Sequence, residues 1–207
     1  MKMKKQIQKT WIILAMAVVF FVSLFSAIYY FSNRQTSYNS TIDLENSKYS
    51  ATKEIDLALE KLKKQRQKAH ELSGVNAEEK VVAITFDDLT DYQTMEALLR
   101  LLDSYSARAT FFVPGIKGAE NPLVVKNIVD KGQEIGNYTL SGRRQMELLS
   151  EEELVIDFCR SGVILKELTG KTPTILKCND TKYSKGLLEV AHACGINTVV
   201  NPTYIFN

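Results

Sequence analysis

Histidine and cysteine are scarce in this chain, with two and three residues among 207. The cysteines, Cys159, Cys178 and Cys194, are odd in number, which excludes complete pairing within one chain. No two of them stand in C-x-x-C spacing, so zinc-ribbon and thioredoxin-type sites are excluded. Cys159 and Cys194 fall in helical patterns and read as small buried hydrophobes. Net charge is also scarce. Its 26 basic and 24 acidic residues leave +2, too little for a nucleic-acid partner. No internal repeat is present.

Acid is missing from the start of the chain. Lys2, Lys4, Lys5 and Lys9 all precede the first acid, Asp43. Between them lies WIILAMAVVFFVSLFSAIYYF, residues 11–31, 21 residues without a charge. That length crosses a hydrocarbon core of about 30 Å. Trp11 at one end and Tyr29 and Tyr30 at the other would sit in the interfacial belts. The rival reading is a cleaved signal peptide, but the apolar region is long for one and no A-x-A-like site follows. The expectation is a cytoplasmic tail over 1–10, a transmembrane anchor over 11–31, and everything beyond on the outer face of the cell membrane.

Residues 32–79 read as a linker and helical stalk. Residues 33–46 are polar. Residues 47–73 place Ile55, Leu59 and Leu62 at helical spacing, with Gly74 as the stop. Two readings stand: a coiled-coil stalk that would dimerise the protein, and a solvated spacer helix. The stripe covers under two heptads, which favours the spacer. His70 reads as a solvated residue of this helix.

From residue 80 strands and helices alternate. Strands are expected at 81–86, 109–113, 134–138, 173–176 and 196–200, with helices at 94–105, 121–132, 150–170 and 185–195. Ser150 and Glu153 stand at capping-box spacing, and Gly170 ends that helix. This order predicts an α/β domain on a parallel sheet, with function gathered where the strands end. Two adjacent acids, Asp87 and Asp88, follow the first strand. Such a pair can act as a base and a metal ligand, or can simply open a turn. The stretch EIGNYTLSGRR, residues 134–144, occupies a strand end, yet beyond Glu134 it holds no His, Cys or acid.

The succession VAITFDD, ATFFVPG, KGQEIGN and LTGKTPTIL resembles the polysaccharide deacetylase family, the NodB-homology domain of carbohydrate esterase family 4. The resemblance runs from about residue 80 to the end. It implies a partial (β/α) barrel, over 80–207, that removes acetyl groups from N-acetylated sugars with a divalent metal, commonly zinc. It assigns Asp87 to the catalytic base and Asp88 to the metal ligand. The family's two metal histidines fall at Tyr138 and Gly142, and its Gly after the acids at Leu89. Where the family has Arg-Pro-Pro-aromatic-Gly, this chain has Lys177-Cys178-Asn179-Asp180-Thr181. The family's later motifs lie beyond residue 207, so the barrel is expected to be incomplete. A shortened chain, a completing partner and a decaying gene product are all open.

A replacement metal site from Asp88, Cys178 and Asp180 at the barrel mouth is the alternative to a lost one. His192, in the last helix, is expected to lie away from it. The leading expectation is an inactive homologue, needing no cofactor, that binds cell-envelope glycan or a partner through Tyr138, Arg143, Arg144 and Lys177. Arg143 and Arg144 also read as solvated loop residues. The alternatives are a metal-dependent deacetylase of cell-wall N-acetylated sugars and a structural or signalling spacer.

Overall fold

The computed structural model describes residues 48–74 and 82–201. The expected anchor over 11–31 lies outside them. Among the described residues no helix is long and apolar enough to cross a membrane. The helices are α1 (Thr52–Lys64), α2 (Tyr92–Ser104), α3 (Gly115–Glu120), α4 (Pro122–Asp130), α5 (Glu151–Thr169) and α6 (Lys185–Ala193). The strands are β1 (His70–Leu72), β2 (Ile84–Asp87), β3 (Ala109–Val113), β4 (Glu134–Asn137), β5 (Ile175–Leu176) and β6 (Thr198–Val200). All six strands run parallel in the order β1-β6-β5-β4-β3-β2. The sheet is a curled half-barrel with helices packed on it.

Two apolar clusters hold the layers together. In the first, Phe111 and Val113 of β3 meet Met95 and Leu99 of α2 and Val125 and Ile128 of α4. In the second, Leu176 and Val199 of β5 and β6 meet Val155 and Phe158 of α5 and Leu187 and Val190 of α6. Fully burying each such side chain stabilises by roughly 1.5–3 kcal/mol. The long α5 joins the clusters, since Leu154 belongs to one and Leu165 to the other. Its expected start and stop are present. Ser150 Oγ accepts from Glu153 N at 3.3 Å, Glu153 Oε2 accepts from Ser150 N at 2.8 Å, and Gly170 closes the helix at φ 75°.

The stalk expectation is corrected. The helix of residues 52–64 is no spacer, because its apolar stripe is spent inside the domain. Ala58 and Leu62 are buried in the second cluster, and Ile55 and Leu59 pack against it. A dimer through that stripe would have to expose this core. Arg66 then clamps the following segment, donating to Glu151 at 2.7 and 2.9 Å and to Glu189 at 3.2 Å. His70 is not helical. It opens β1, whose register pairs His70 with Thr198 and Leu72 with Val200. The domain therefore begins well before residue 80. A sixth strand, supplied from the N-terminal side, covers an edge of β6 that the sequence reading left open.

Candidate functional site at the strand ends

The parallel register brings five chain segments to one rim. Asp87 pairs with Phe112, Val113 with Asn137, Asn137 with Leu176, and Leu176 with Val199. Asp88, Tyr138, Lys177 and Asn201 each come next after a strand. Asp87, Tyr138, Lys177, Asn179, Tyr183 and Asn201 line a cavity of about 230 Å³ there.

Both carboxylates are already partnered by lysines. Lys177 Nζ donates to Asp87 Oδ1 at 2.8 Å and stands 2.7 Å from Oδ2. The Lys177 side chain is 8% exposed and that of Asp87 31%. The ammonium also lies 5.8 Å from the centre of the Phe112 ring, over its face. Tyr138, buried, donates its hydroxyl to Asp87 Oδ2 at 3.4 Å. Burial first, and the Asp87 charge second, push the Tyr138 phenol well above its ordinary range, so it stays a neutral donor. Asp88 turns the other way. Its φ of 75° is left-handed, a region that Asp tolerates better than most residues. Lys117 of α3 donates to both of its oxygens, at 2.8 and 2.6 Å. This second pair is exposed.

The loop after β4 is held from below. Asn137 Oδ1 accepts from Thr139 N and from Ser161 Oγ, both at 2.8 Å, and Ser161 Oγ also donates to Thr139 O at 2.8 Å. Thr139 is buried at φ 66°, a strained conformation that these bonds impose. Asp157 of α5 accepts from Leu140 N at 2.8 Å. Burial pushes the Asp157 carboxyl up to about 7, against the opposing pull of the Leu140 bond and of Arg143. Gly136 is required here, because a Cβ on it would stand 2.6 Å from the Phe112 ring.

The remaining candidates divide. Arg144 is exposed and bound to Asp180, with Nε donating to Oδ2 at 3.0 Å. Arg143 is half-buried and acts on Asp157. Neither arginine lines the cavity. Cys178 is buried, its backbone N–H donating to Tyr183 Oη at 2.8 Å, and burial holds its thiol well up. Asp88 and Asp180 are thus each tied to a cation, and the Cys178 thiol is buried. Among the described residues no group of three His, Cys, Asp or Glu is placed to hold a metal ion. His192 lies in the last turn of α6 and lines no part of the cavity.

The sequence profile described as polysaccharide deacetylase matches residues 74–199. The chain belongs to the polysaccharide deacetylase family. Among curated members, a peptidoglycan-N-acetylglucosamine deacetylase of Bacillus cereus is 34% identical over 122 residues, 59% of this chain and 56% of that protein. The peptidoglycan-N-acetylmuramic acid deacetylase PdaC of Bacillus subtilis is 30% identical over 142 residues, 63% of this chain and 30% of that protein. This chain thus spans about half or less of the length of these relatives. Among solved structures, the peptidoglycan N-acetylglucosamine deacetylase Bc1960 aligns with TM-score 0.58 and 28% identity, covering 64% of this chain and 61% of that one. A family 4 pseudoenzyme of Bacillus anthracis aligns with TM-score 0.59 at 19% identity, covering 65% and 47%, a likeness of fold.

Family membership raises the question of a metal, and the donors present do not fit one. Asp88 is chelated by Lys117. The two positions that resemble the family's histidines hold a buried phenol and a glycine. Gly142 has φ 70°, and a Cβ there would stand 3.3 Å from Tyr138 Cδ1. The arrangement sets each of the two carboxylates against an ammonium, Lys177 for Asp87 and Lys117 for Asp88. It supplies no Lewis acid for an acetamide carbonyl. Two residues of the site were not singled out from sequence, Lys117 and Asp157. Lys117 stands just beyond the end of β3, but its partner became visible only when β2 and α3 met. Asp157 lies within a helical stretch that gives no sign of facing a loop.

Proposed function

We propose that this chain is a catalytically silent member of the polysaccharide deacetylase family that binds N-acetylated cell-envelope glycan at the strand-end cavity, held at the outer face of the membrane by residues 11–31. The observation that carries the silent reading is the Asp87–Lys177 pair. A base whose carboxylate is tied to a buried ammonium is not free to take a proton from water. Losing the Lewis acid removes several kcal/mol of transition-state stabilisation, and each ~1.4 kcal/mol is a factor of ten in rate. Glycan as ligand is supported by the named substrates of the relatives and by the cavity's lining, where Tyr183 offers a ring and Asn179 and Asn201 offer amide oxygens, groups suited to a sugar. Tyr138 and Lys177 form its wall through their bond to Asp87 rather than as free contacts.

Two measurements on the purified protein test this. With zinc supplied and then dialysed away, no stoichiometric metal should remain, and an N-acetylglucosamine oligomer should stay acetylated. The protein should co-sediment with insoluble peptidoglycan, less so with Tyr183→Ala. Tightly held zinc with acetate release would restore the metal-dependent deacetylase reading, which the intact Asp87-Asp88 pair favours. Protease added to intact cells should remove the domain, and its protection would reverse the orientation.

A further inference from the structure

Two thiols outside the site face each other where α5 packs on α6. Cys159 lies midway along α5 and is buried, and Cys194 is the C-terminal cap of α6 and half-buried. Cys194 Sγ is 3.9 Å from Val155 O, the carbonyl one helical turn before Cys159. Cys159 Sγ is 3.7 Å from Glu54 O of α1. Three helices therefore converge on this thiol pair. Both thiols line a cavity of about 150 Å³, together with Glu54, Lys61 and Lys166. Cys178 sits apart, among the groups that line the strand-end cavity.

We propose that Cys159 and Cys194 form a redox-active dithiol that closes into a disulfide and staples α5 to α6. The oxidant is a small disulfide or the disulfide of an oxidoreductase. The Cys194 thiolate, on the more open side, attacks one sulfur of the oxidant. An S–S bond breaks, a mixed disulfide forms, and one thiol leaves. The Cys159 thiolate then attacks Cys194 Sγ and expels the second thiol. Two electrons and two protons pass to the oxidant. The contact with Cys159, and then burial, hold the Cys194 thiol above its ordinary range, so closure is slow at neutral pH and quickens in mild alkali. Lys61 opposes this shift and favours the thiolate. Outside the cytoplasm such pairs persist as disulfides.

The test uses the full chain incubated with oxidised glutathione or with a reductant, then denatured in acid and alkylated. The reduced protein should take three alkyl groups and the oxidised protein one, at Cys178, and before alkylation the oxidised protein should be lighter by two hydrogens. Digestion should yield a single peptide pair joining 159 to 194. The oxidised protein should melt several degrees higher, a rise absent in Cys194→Ser, which should instead trap glutathione on no more than one residue. Three alkyl groups after oxidation, a bond involving Cys178, or links only between chains would each overturn the proposal. Because none of these readouts depends on glycan binding, failure of the functional reading leaves the outcome unaffected.

Discussion

The rim at the strand ends has a buried wall and an exposed edge, and the two treat neighbouring carboxylates differently. On the wall, Asp87 meets Lys177 and Tyr138, both nearly without solvent, above the Asn137, Ser161 and Asp157 network. On the edge, Asp88 meets Lys117, and Asp180 meets Arg144, in full view of water. The same chemistry, carboxylate against cation, fixes architecture in the first setting and contributes little in the second. Adjacent residues diverge because Asp88 takes a left-handed backbone conformation and carries its side chain away from the sheet.

The comparison breaks most visibly at Lys177. Lys177→Met should lower stability by roughly 3 kcal/mol in chemical unfolding, since removing one partner of a largely buried pair strands the other charge. A loss below about 1 kcal/mol would place this pair with the exposed ones. Second in size is Asp157→Asn. An acid whose folded value is raised holds its proton more firmly when folded. Its contribution is complete below the ordinary value of 3.8 and is lost as pH rises through about 7. Asn can still accept from Leu140 N, so Asp157→Asn should stabilise the protein at pH 8 by on the order of 2 kcal/mol and flatten the decline between acid and neutral pH. An unchanged pH profile would mean that Arg143 compensates the charge fully.

Smaller effects sharpen the contrast. Tyr138→Phe removes one long hydrogen bond and should cost about 1 kcal/mol, read as a shifted urea midpoint at unchanged slope. Lys117→Met should change stability by less than about 1 kcal/mol, because its pair is exposed and screened. Its other effect is chemical. With Tyr138→His and Gly142→His, Lys117 competes with zinc for Asp88, so adding Lys117→Gln should tighten zinc binding in calorimetry by no more than about fivefold, the limit that a pair worth under ~1 kcal/mol sets. A larger gain would show that the edge pair is stronger than its exposure implies.

Much of this could be read from the residues. The strands at 109–113 and 134–138 and the boundaries of α5 follow from apolar runs and capping chemistry, and the structure departs from them by a residue at most. Asp87, Tyr138 and Lys177, placed together by motif order, do meet, whereas Asp88 turns away to Lys117. What local pattern misjudged was the segment before residue 80. The Ile55, Leu59 and Leu62 stripe is too short to say whether its complement is a second copy or this chain's own α5 and α6. His-Glu-Leu at 70–72 is too short and polar to announce a strand, and only pairing with Thr198–Val200 makes it one. Tyr138 and Lys177 looked like free contacts for a ligand because burial depends on what packs above them.

The edge strand β1 has a temporal consequence. It is made before the other five described strands, but its partner, β6, is the last of the six to be synthesised, and β2, the next strand in sequence, lies at the far side of the sheet. The β1–β6 pairing must therefore wait for the four strands between them, and it closes the longest loop between paired strands among the described residues, at a corresponding entropic delay. Until then α1 presents Ala58 and Leu62 to solvent with no α5 or α6 to receive them. The nascent chain thus carries an unprotected apolar face until α5 and α6 emerge, the interval in which association with other chains competes with folding.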